Sequence, residues 1–137
     1  MTSTVVFPDV VALVIGHIDD NLATFGWPTT SVHKRVPSPR PSSFVTVLRT
    51  GGPARDHVVD DAQVTLDVWA DEDADVADLT ADVRAIVNDL AGTVIDGTQV
   101  YRVTEMAGPS DIPDPLSDQP RMRWSVVVQT RGAASTS

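Results

Sequence analysis

The side chains with the clearest chemical potential are carboxylates that crowd the middle of the chain. Four of them fall at positions 1, 3, 5 and 12 of a segment that has the spacing of a calcium-binding loop: Asp71, Asp73, Asp75 and Asp82. Such a loop follows a helix and requires glycine at its sixth position and a longer glutamate at its last. This chain has Val76 at the sixth position and a predicted strand before the segment. The acids are therefore better explained as the negatively charged start of a helix.

Other reactive groups are sparse, and none falls into the pattern of an active site. The chain has no cysteine, which removes thiolate nucleophiles and thiolate metal ligands together. His17, His33 and His57 are scattered, and none has a partner at metal-ligand spacing. Gly51 and Gly52 lack the lysine and the helix that follow a phosphate-binding loop. We therefore expect no enzymatic activity, no metal and no cofactor.

The net charge of −9 resides almost entirely in one part of the chain. Residues 1–59 carry five basic and four acidic groups, residues 60–98 carry one and eleven, and residues 99–137 carry four of each. The three parts thus have net charges of +1, −10 and 0. The stretch that concentrates the charge is called the acidic surface below: Asp71, Glu72, Asp73, Asp75, Asp78 and Asp82.

Seven arginines lie on or beside predicted strands, away from the acidic surface: Arg40, Arg49, Arg55, Arg102, Arg121, Arg123 and Arg131. They can serve solubility and cross-strand pairing, or they can meet the acidic surface of a second subunit. Because a basic and an acidic patch on one chain are complementary head to tail, the second role predicts ring-forming contacts. Trp69 is a further interface candidate, since its neighbours on the same face of a predicted strand are Thr65 and Asp67.

The order of the predicted elements indicates an α+β domain. A chain of 137 residues with 42% hydrophobic content suits a single domain, which we take as residues 1–132 followed by a flexible tail at residues 133–137. Apolar side chains at helical spacing predict helices over residues 8–23 and from the acidic stretch to Gly92. Strand-forming runs are found at about residues 30–36, 43–50, 61–70, 99–106 and 122–130. The order α-β-β-β-α-β-β predicts an antiparallel or mixed sheet with two helices packed on it.

Two proline-rich segments interrupt this pattern and are candidates for contacts with neighbouring subunits. Residues 36–41 contain Pro37, Pro39 and Pro41, and residues 107–120 exceed what a hairpin loop requires. Proline lowers the entropy that such an arm loses when it docks on a partner. No apolar run approaches the roughly 20 residues of a membrane span, so we expect no membrane association.

Two blocks of residues flank the acidic region. The first has the form R-P-x-x-F-V-x-V-x-x-x-G-G and is met by Arg40, Pro41, Phe44, Val45, Val47, Gly51 and Gly52. The second has the form D-P-x-x-x-x-P-R and is met by Asp114, Pro115, Pro120 and Arg121. Together, and in this order, the blocks resemble the tail terminator proteins of long-tailed, siphovirus-type phages that infect actinobacteria. The resemblance covers about residues 7–132, and it departs at Ile112, where the family often has an aromatic residue.

The resemblance implies a subunit of a hexameric ring that caps the head-proximal end of the tail tube. Such a ring stops polymerisation of the tube and supports head–tail joining. The implied partners are further copies of the chain, the major tail protein and a head–tail connector or neck protein. The implied location is the virion tail, and the host cytoplasm during assembly. No catalysis and no cofactor are implied.

The implied ring gives both charged surfaces a role. DNA would pass through its lumen without specific binding, and an acidic wall would suit that passage because it repels phosphate. The acidic surface is therefore assigned either to the lumen or to a seam between subunits. The residues that we assign to the ring interface are Arg40, Phe44, Arg49, Trp69, Asp114, Pro115, Arg121 and Arg123.

Other functions also fit the sequence. A head-closure or neck connector protein of the same virion would share these features. A small soluble binding domain that uses the acidic surface for a cation or a basic partner would explain the charge. An unrecognised hydrolase would need a pocket that joins one histidine to a carboxylate.

Overall fold

The computed structural model describes residues 4–134, which form eight strands and two helices. In chain order the elements are β1 (Val5–Val6), α1 (Val10–Leu22), β2 (Ser31–His33), β3 (Phe44–Gly51), β4 (Val59–Trp69), α2 (Asp73–Asn88), β5 (Val94–Ile95), β6 (Thr98–Asp111), β7 (Arg121–Arg131) and β8 (Ala133–Ala134). Six strands form the main sheet in the order β2-β3-β4-β7-β6-β5, and β1 pairs with β8. Across residues 4–134, no helix is long and apolar enough to cross a membrane.

The predicted fold class, an α+β domain with helices packed on an antiparallel or mixed sheet, is confirmed. The sheet is mixed because β2 runs parallel to β3, whereas the other neighbouring strands are antiparallel. The predicted order of two helices and five strands is also found. The short strands β1, β5 and β8 are additional, and their two residues each leave no periodicity for a sequence to reveal.

One face of the main sheet carries both helices and holds the hydrophobic core. Along β4, the predicted apolar face is buried: Ala62, Val64, Leu66 and Val68. The helices bury their own apolar stripes in the same cluster, including Val14 and Ile18 from α1 and Leu79 and Val83 from α2. The opposite face, called the open face below, carries the alternate residues of the central strands, including Gln63, Thr65 and Asp67 of β4 opposite Val127, Ser125 and Arg123 of β7.

The first helix begins two residues later than its sequence predicts. Asp9 caps it, and the Asp9 carboxylate accepts a hydrogen bond from the Ala12 N–H at 3.1 Å. Pro8 therefore precedes the cap and does not form the first turn. The capping carboxylate satisfies one of the free N–H groups that every helix start leaves, and this fixes the boundary at Val10.

The second helix confirms the predicted negative first turn. Asp73 and Asp75 lie in its first turn, where they face the positive end of the helix dipole. Glu72 occupies the capping position and makes no capping bond with its side chain. The helix ends at Asn88, and Gly92, with φ +81°, turns the chain beyond it.

The structure shortens the predicted long loop. The strand β6 continues to Asp111, so the connection to β7 covers residues 112–120 rather than 107–120. The extra strand residues pair with β7, and register shifts on either side of Ala107 absorb the irregular backbone at Gly108. The predicted strand at residues 30–36 is reduced to β2, which pairs with the start of β3.

The predicted flexible tail at residues 133–137 begins inside a strand. Ala133 and Ala134 pair with Val6 and Val5 in the two-stranded sheet. Hydrogen bonding therefore ties these two residues to the N-terminal strand. Residues 135–137 of that prediction lie outside the described residues.

Candidate functional site

The start of the first sequence block, just before β3, meets the second block, just before β7, at one end of the main sheet. The strand β4 lies between them, and its register places Phe44 opposite Trp69 and Trp69 opposite Arg121. Arg40 and Asp114 are 74 residues apart in sequence, yet Arg40 Nη1 lies 2.5 Å from Asp114 Oδ2. These five residues are called the motif junction below.

Polar contacts fix the loop before β7 as a compact turn. Asp114 Oδ1 accepts a hydrogen bond from the Leu116 N–H at 2.9 Å, and the Asp114 carbonyl accepts one from the Asp118 N–H at 2.8 Å. Arg40 Nη1 donates to Ser117 Oγ at 3.1 Å in addition to Asp114. The loop and the first proline-rich segment are therefore joined as one unit within the chain.

This unit shows how the two proline-rich segments, which we predicted to contact neighbouring subunits, are held within the chain. They bind each other, and Gln119 Nε2 adds a hydrogen bond to the Ser42 carbonyl at 3.3 Å. Pro115, which we had assigned to an interface, is exposed at the tip of the loop. Beside it, the Leu116 side chain is 91% exposed. The loop thus offers fixed apolar groups to the solvent rather than a free arm.

Asp114 is held in its charged form by its hydrogen-bond donors. Its side chain is only 6% exposed, and burial alone would favour the neutral acid. The Arg40 guanidinium and, after it, the Leu116 N–H donate to the carboxylate and hold the pKa of Asp114 well below its usual value. The shape of the loop therefore depends on a carboxylate that stays ionised.

Two arginines and two aromatic rings pack together at the motif junction. The rings of Phe44 and Trp69 are stacked, with centroids 4.6 Å apart and planes inclined by 14°. The Arg40 guanidinium lies over the Phe44 ring at 6.0 Å, and the Arg121 guanidinium lies over the Trp69 ring at 5.6 Å. Such cation–π contacts favour fixed positions for the arginines, which come from different sequence blocks.

The burial of the aromatic pair corrects its assignment to a subunit interface. Phe44 is fully buried and Trp69 is 2% exposed, so neither ring has surface left for a neighbouring chain. Thr65 and Asp67 are polar because they lie on the open face of the sheet. Trp69 lies on the same face, but its ring packs against Phe44 and is shielded from solvent.

The arginines assigned to a seam are mostly committed to carboxylates of their own chain. Arg49 pairs with the buried Asp60 at 2.9 Å, and Arg123 pairs with Asp67 at 2.7 Å, as Arg40 pairs with Asp114. These arginines are therefore unsuited to neutralise the acidic surface of a second subunit. Within residues 4–134, the basic side chains that form no salt bridge are Lys34, Arg35, Arg102, Arg121 and Arg131.

The acidic surface is solvent-exposed and lies beside the motif junction. In the described part of the chain, none of its members forms a salt bridge. Asp71 and Asp118 line the same surface hollow of about 610 Å³ as Arg40 and Ser117. Asp82 differs from the other acids because it is half-buried and accepts a hydrogen bond from Trp27 Nε1 at 2.8 Å.

No metal site emerges from these acids in the part of the chain that the structure describes, where no group of three or more His, Asp or Glu side chains has a suitable arrangement. The histidines are placed elsewhere. His17 Nε2 contacts the Ile86 carbonyl at 3.1 Å between the two helices, and His33 Nε2 contacts Ser31 Oγ at 2.7 Å.

We expect calcium and magnesium at equal concentration to raise the melting temperature of the protein equally. Exposed carboxylates without a built cage interact with divalent ions through screening, which does not distinguish the two metals. A thermal-shift titration of the wild type and of Asp73→Ala measures this. A calcium-specific rise that disappears in Asp73→Ala would instead favour the cation-binding alternative.

Sequence reasoning missed the residues that shape the loop. Ser117 and Gln119 stand at variable positions of the second block, and Ser42 stands at a variable position of the first. Ser117 and Ser42 each contribute one hydrogen bond to the contact between the blocks, and Gln119 contributes two. Since such bonds carry no periodic signal, only the meeting of the two segments in space reveals them.

The geometry thus defines an α+β domain with a rigid, loop-bearing surface at one end of a mixed sheet. This fold is shared with one chain of a solved structure described as the virion of a native gene transfer agent (GTA) particle. The two chains superpose with a TM-score of 0.52 at 15% sequence identity, over 93% of this chain and 100% of the other. No protein-family profile matches the sequence, and no curated protein does. At 15% identity, the likeness establishes a common fold.

Proposed function

We propose that this protein is a structural component of a phage-like virion. The observation that carries the proposal is the fold shared with a chain of a gene transfer agent virion, because the correspondence extends over nearly the whole of both chains. Fold alone does not dictate function, so the proposal also draws on the surface that the two blocks build. It assigns no catalytic activity and no cofactor to the chain.

Within that class, the proposed role is tail terminator. The subunits would form a ring, hexameric as in the family that the sequence resembles, at the head-proximal end of the tail. The ring would end the polymerisation of the major tail protein and would receive a head–tail connector or neck protein. The support is that both family-type blocks, distant in sequence, converge on a single rigid surface through Arg40 and Asp114.

The charges of the molecule fit the passage of DNA through such a ring. The acidic surface has no basic partner among residues 4–134, so its field is not cancelled within the chain. A lumen lined by these carboxylates would repel the phosphates of the duplex and would avoid the counterion release that makes basic surfaces hold DNA. The seam alternative is weaker, since most of the assigned arginines are already paired.

A nonsense mutation in the gene tests the terminator role in the particle that encodes it. We expect heads without attached tails, together with free tails of abnormal length, because nothing ends growth of the tube. Negative-stain imaging of the mutant particles measures tail length. Light scattering on the purified protein should show a mass near six subunits, or a monomer that assembles only on a tail tube.

The same experiment separates the neighbouring role. Tails of normal length that fail to join heads would identify a neck or head-closure protein instead. A protein that stays monomeric and is missing from purified virions by mass spectrometry would refute the virion assignment altogether.

A further inference from the structure

Leu116 has the properties of an interface anchor. Among the described residues it is the most exposed of the large apolar side chains, and its backbone is fixed by Asp114, which Arg40 holds in turn. Because the backbone beneath this leucine is already fixed, docking costs little further backbone order. Asp118 lies in the same turn, is exposed, and forms no salt bridge within residues 4–134. The loop tip therefore combines an apolar knob with a negative charge.

A groove on the open face has the matching character. It has a volume of about 360 Å³, and its apolar lining includes Met106 and Val127. Met106 is 60% exposed, and its flexible thioether suits packing against an incoming apolar group. Arg102 also lines the groove and forms no salt bridge in the described chain, whereas Arg55 is already paired with Asp61. The groove thus combines a partly apolar lining with a positive charge that has no salt-bridge partner among the described residues.

We propose that Leu116 of one subunit docks in this groove of the next subunit, with Asp118 facing Arg102. The occupant is a second copy of this chain because knob and groove are both present on it, are both unfilled within it, and carry opposite charges. The knob and the groove lie on different surfaces of the chain, so the contact is head-to-tail. Each subunit uses its knob on one neighbour and its groove on the other, and a closed ring leaves neither free. The inference rests on the proposed ring and identifies the contact that links its subunits.

Cysteine cross-linking tests this contact, and the native chain provides a clean background because it has no cysteine. A mixture of Leu116→Cys and Met106→Cys proteins should form a disulfide-linked dimer under mild oxidation. The control is Leu116→Cys mixed with Val94→Cys, since Val94 is 61% exposed on the edge strand β5, away from the groove. Docking should raise the yield of the first pair about tenfold over the control, because it raises the effective concentration of the two thiols.

Self-association provides an independent readout. Sedimentation velocity should show that Leu116→Asp raises the dissociation constant about 30-fold, the effect of removing an interface hot spot, while Val94→Asp leaves it unchanged. Asp118→Arg should weaken association, and combining it with Arg102→Asp should restore it. Circular dichroism on each variant verifies that the fold is retained.

Failure of the contact is distinguishable from failure of the proposed function. The contact is overturned if the cross-linking yield equals that of the control, or if the Leu116→Asp protein assembles like the wild type. It is also overturned if the chain neither assembles nor cross-links. Detection of the protein in virions without this cross-link overturns the contact and leaves the virion role intact. Cross-linking by a protein that is missing from virions supports the contact and overturns the virion role.

Discussion

Gly52→Ala should destabilise the protein by about 4 kcal/mol or more, and it should lower the yield of folded protein. Gly52 has φ +85°, in the left-handed region that L side chains rarely adopt. A Cβ at this position would lie 2.0 Å from the Asp61 carbonyl oxygen and 2.5 Å from the Gln63 nitrogen. Both atoms belong to the backbone of β4, so no side-chain rotation can relieve the contact.

The damage should extend to the neighbouring ion pair. Arg49 Nη2 donates to the Gly52 carbonyl at 2.9 Å while the same guanidinium holds the buried Asp60. A displaced Gly52 would therefore disturb both the β3–β4 turn and a carboxylate that has no access to water. Because the two contacts are coupled, we expect a loss of stability larger than that caused by substitution of an ordinary turn glycine.

Gly97→Ala is the matched control. Gly97 has nearly the same backbone conformation, with φ +81°, but an added Cβ would meet no atom within 4 Å. Gly97→Ala should therefore lower the stability only by the strain of the left-handed backbone, about 1–2 kcal/mol. Urea unfolding of both variants, followed by circular dichroism, gives the comparison. Equal losses for the two variants would show that the close approach to β4 has no energetic consequence, contrary to the prediction.

Removing Arg40 should have the second largest effect. Arg40→Ala leaves the buried Asp114 carboxylate without its charged partner, and we expect a loss of about 3 kcal/mol at pH 7. The loop before β7 should also lose its fixed shape, because Ser117 and Gln119 lose the same donor. Hydrogen exchange of the Leu116 amide, which donates to Asp114, reports this loosening directly.

The pH dependence of the stability provides a further test of the Arg40–Asp114 pair. The folded-state pKa of Asp114 lies below its unfolded value, so the unfolded chain takes up the proton more readily and acid favours unfolding. The stabilisation is present at neutral pH and is lost as the pH falls below about 4. Arg40→Ala removes the main cause of the lowered pKa. The stability difference between wild type and variant should therefore shrink between pH 7 and pH 3, and a constant difference would rule out this explanation.

Arg55→Ala is the control for the ion pair. Arg55 and Asp61 form a comparable salt bridge, but their side chains are 61% and 22% exposed. Since solvent screens exposed pairs, the loss should be below about 1 kcal/mol. A double-mutant cycle of Arg40→Ala with Asp114→Ala isolates the pairwise energy of the buried pair, and a coupling no larger than that of the exposed pair would contradict its special role.

Both predictions bear on assembly as well as on stability. The Arg40–Asp114 pair holds the turn that presents Leu116, so its loss should weaken any contact that uses this side chain. Gly52 belongs to the turn beside the groove on the open face. Arg40 and Gly52, from the same sequence block, thus shape the proposed knob and the proposed groove respectively.

The sequence by itself determined the local elements and the fold class. Periodicity of two in β4 and a helical stripe in α2 are properties of neighbouring residues, and burial of one face is the only way to remove their apolar side chains from water. The concentration of charge after β4 was equally visible, because it needs no knowledge of contacts. The predicted boundaries of the elements were less accurate where a capping residue sets the start of a helix, as after Pro8. They were also less accurate where register shifts extend a strand, as in β6.

Only the tertiary structure decided which side chains of the candidate site are buried or paired within the chain and which stay exposed. Arg40 and Asp114 lie 74 residues apart, and no local pattern indicates that β4 brings their segments together. The same strand buries Phe44 against Trp69, although the polar alternation around Trp69 predicted exposure. Arg40, Arg49 and Arg123, which the sequence assigned to a subunit seam, form salt bridges within the chain. The Leu116 side chain, in contrast, is exposed to solvent. The physical reason is that periodicity records the environment of each element, whereas pairing and exposure depend on which elements become neighbours in space.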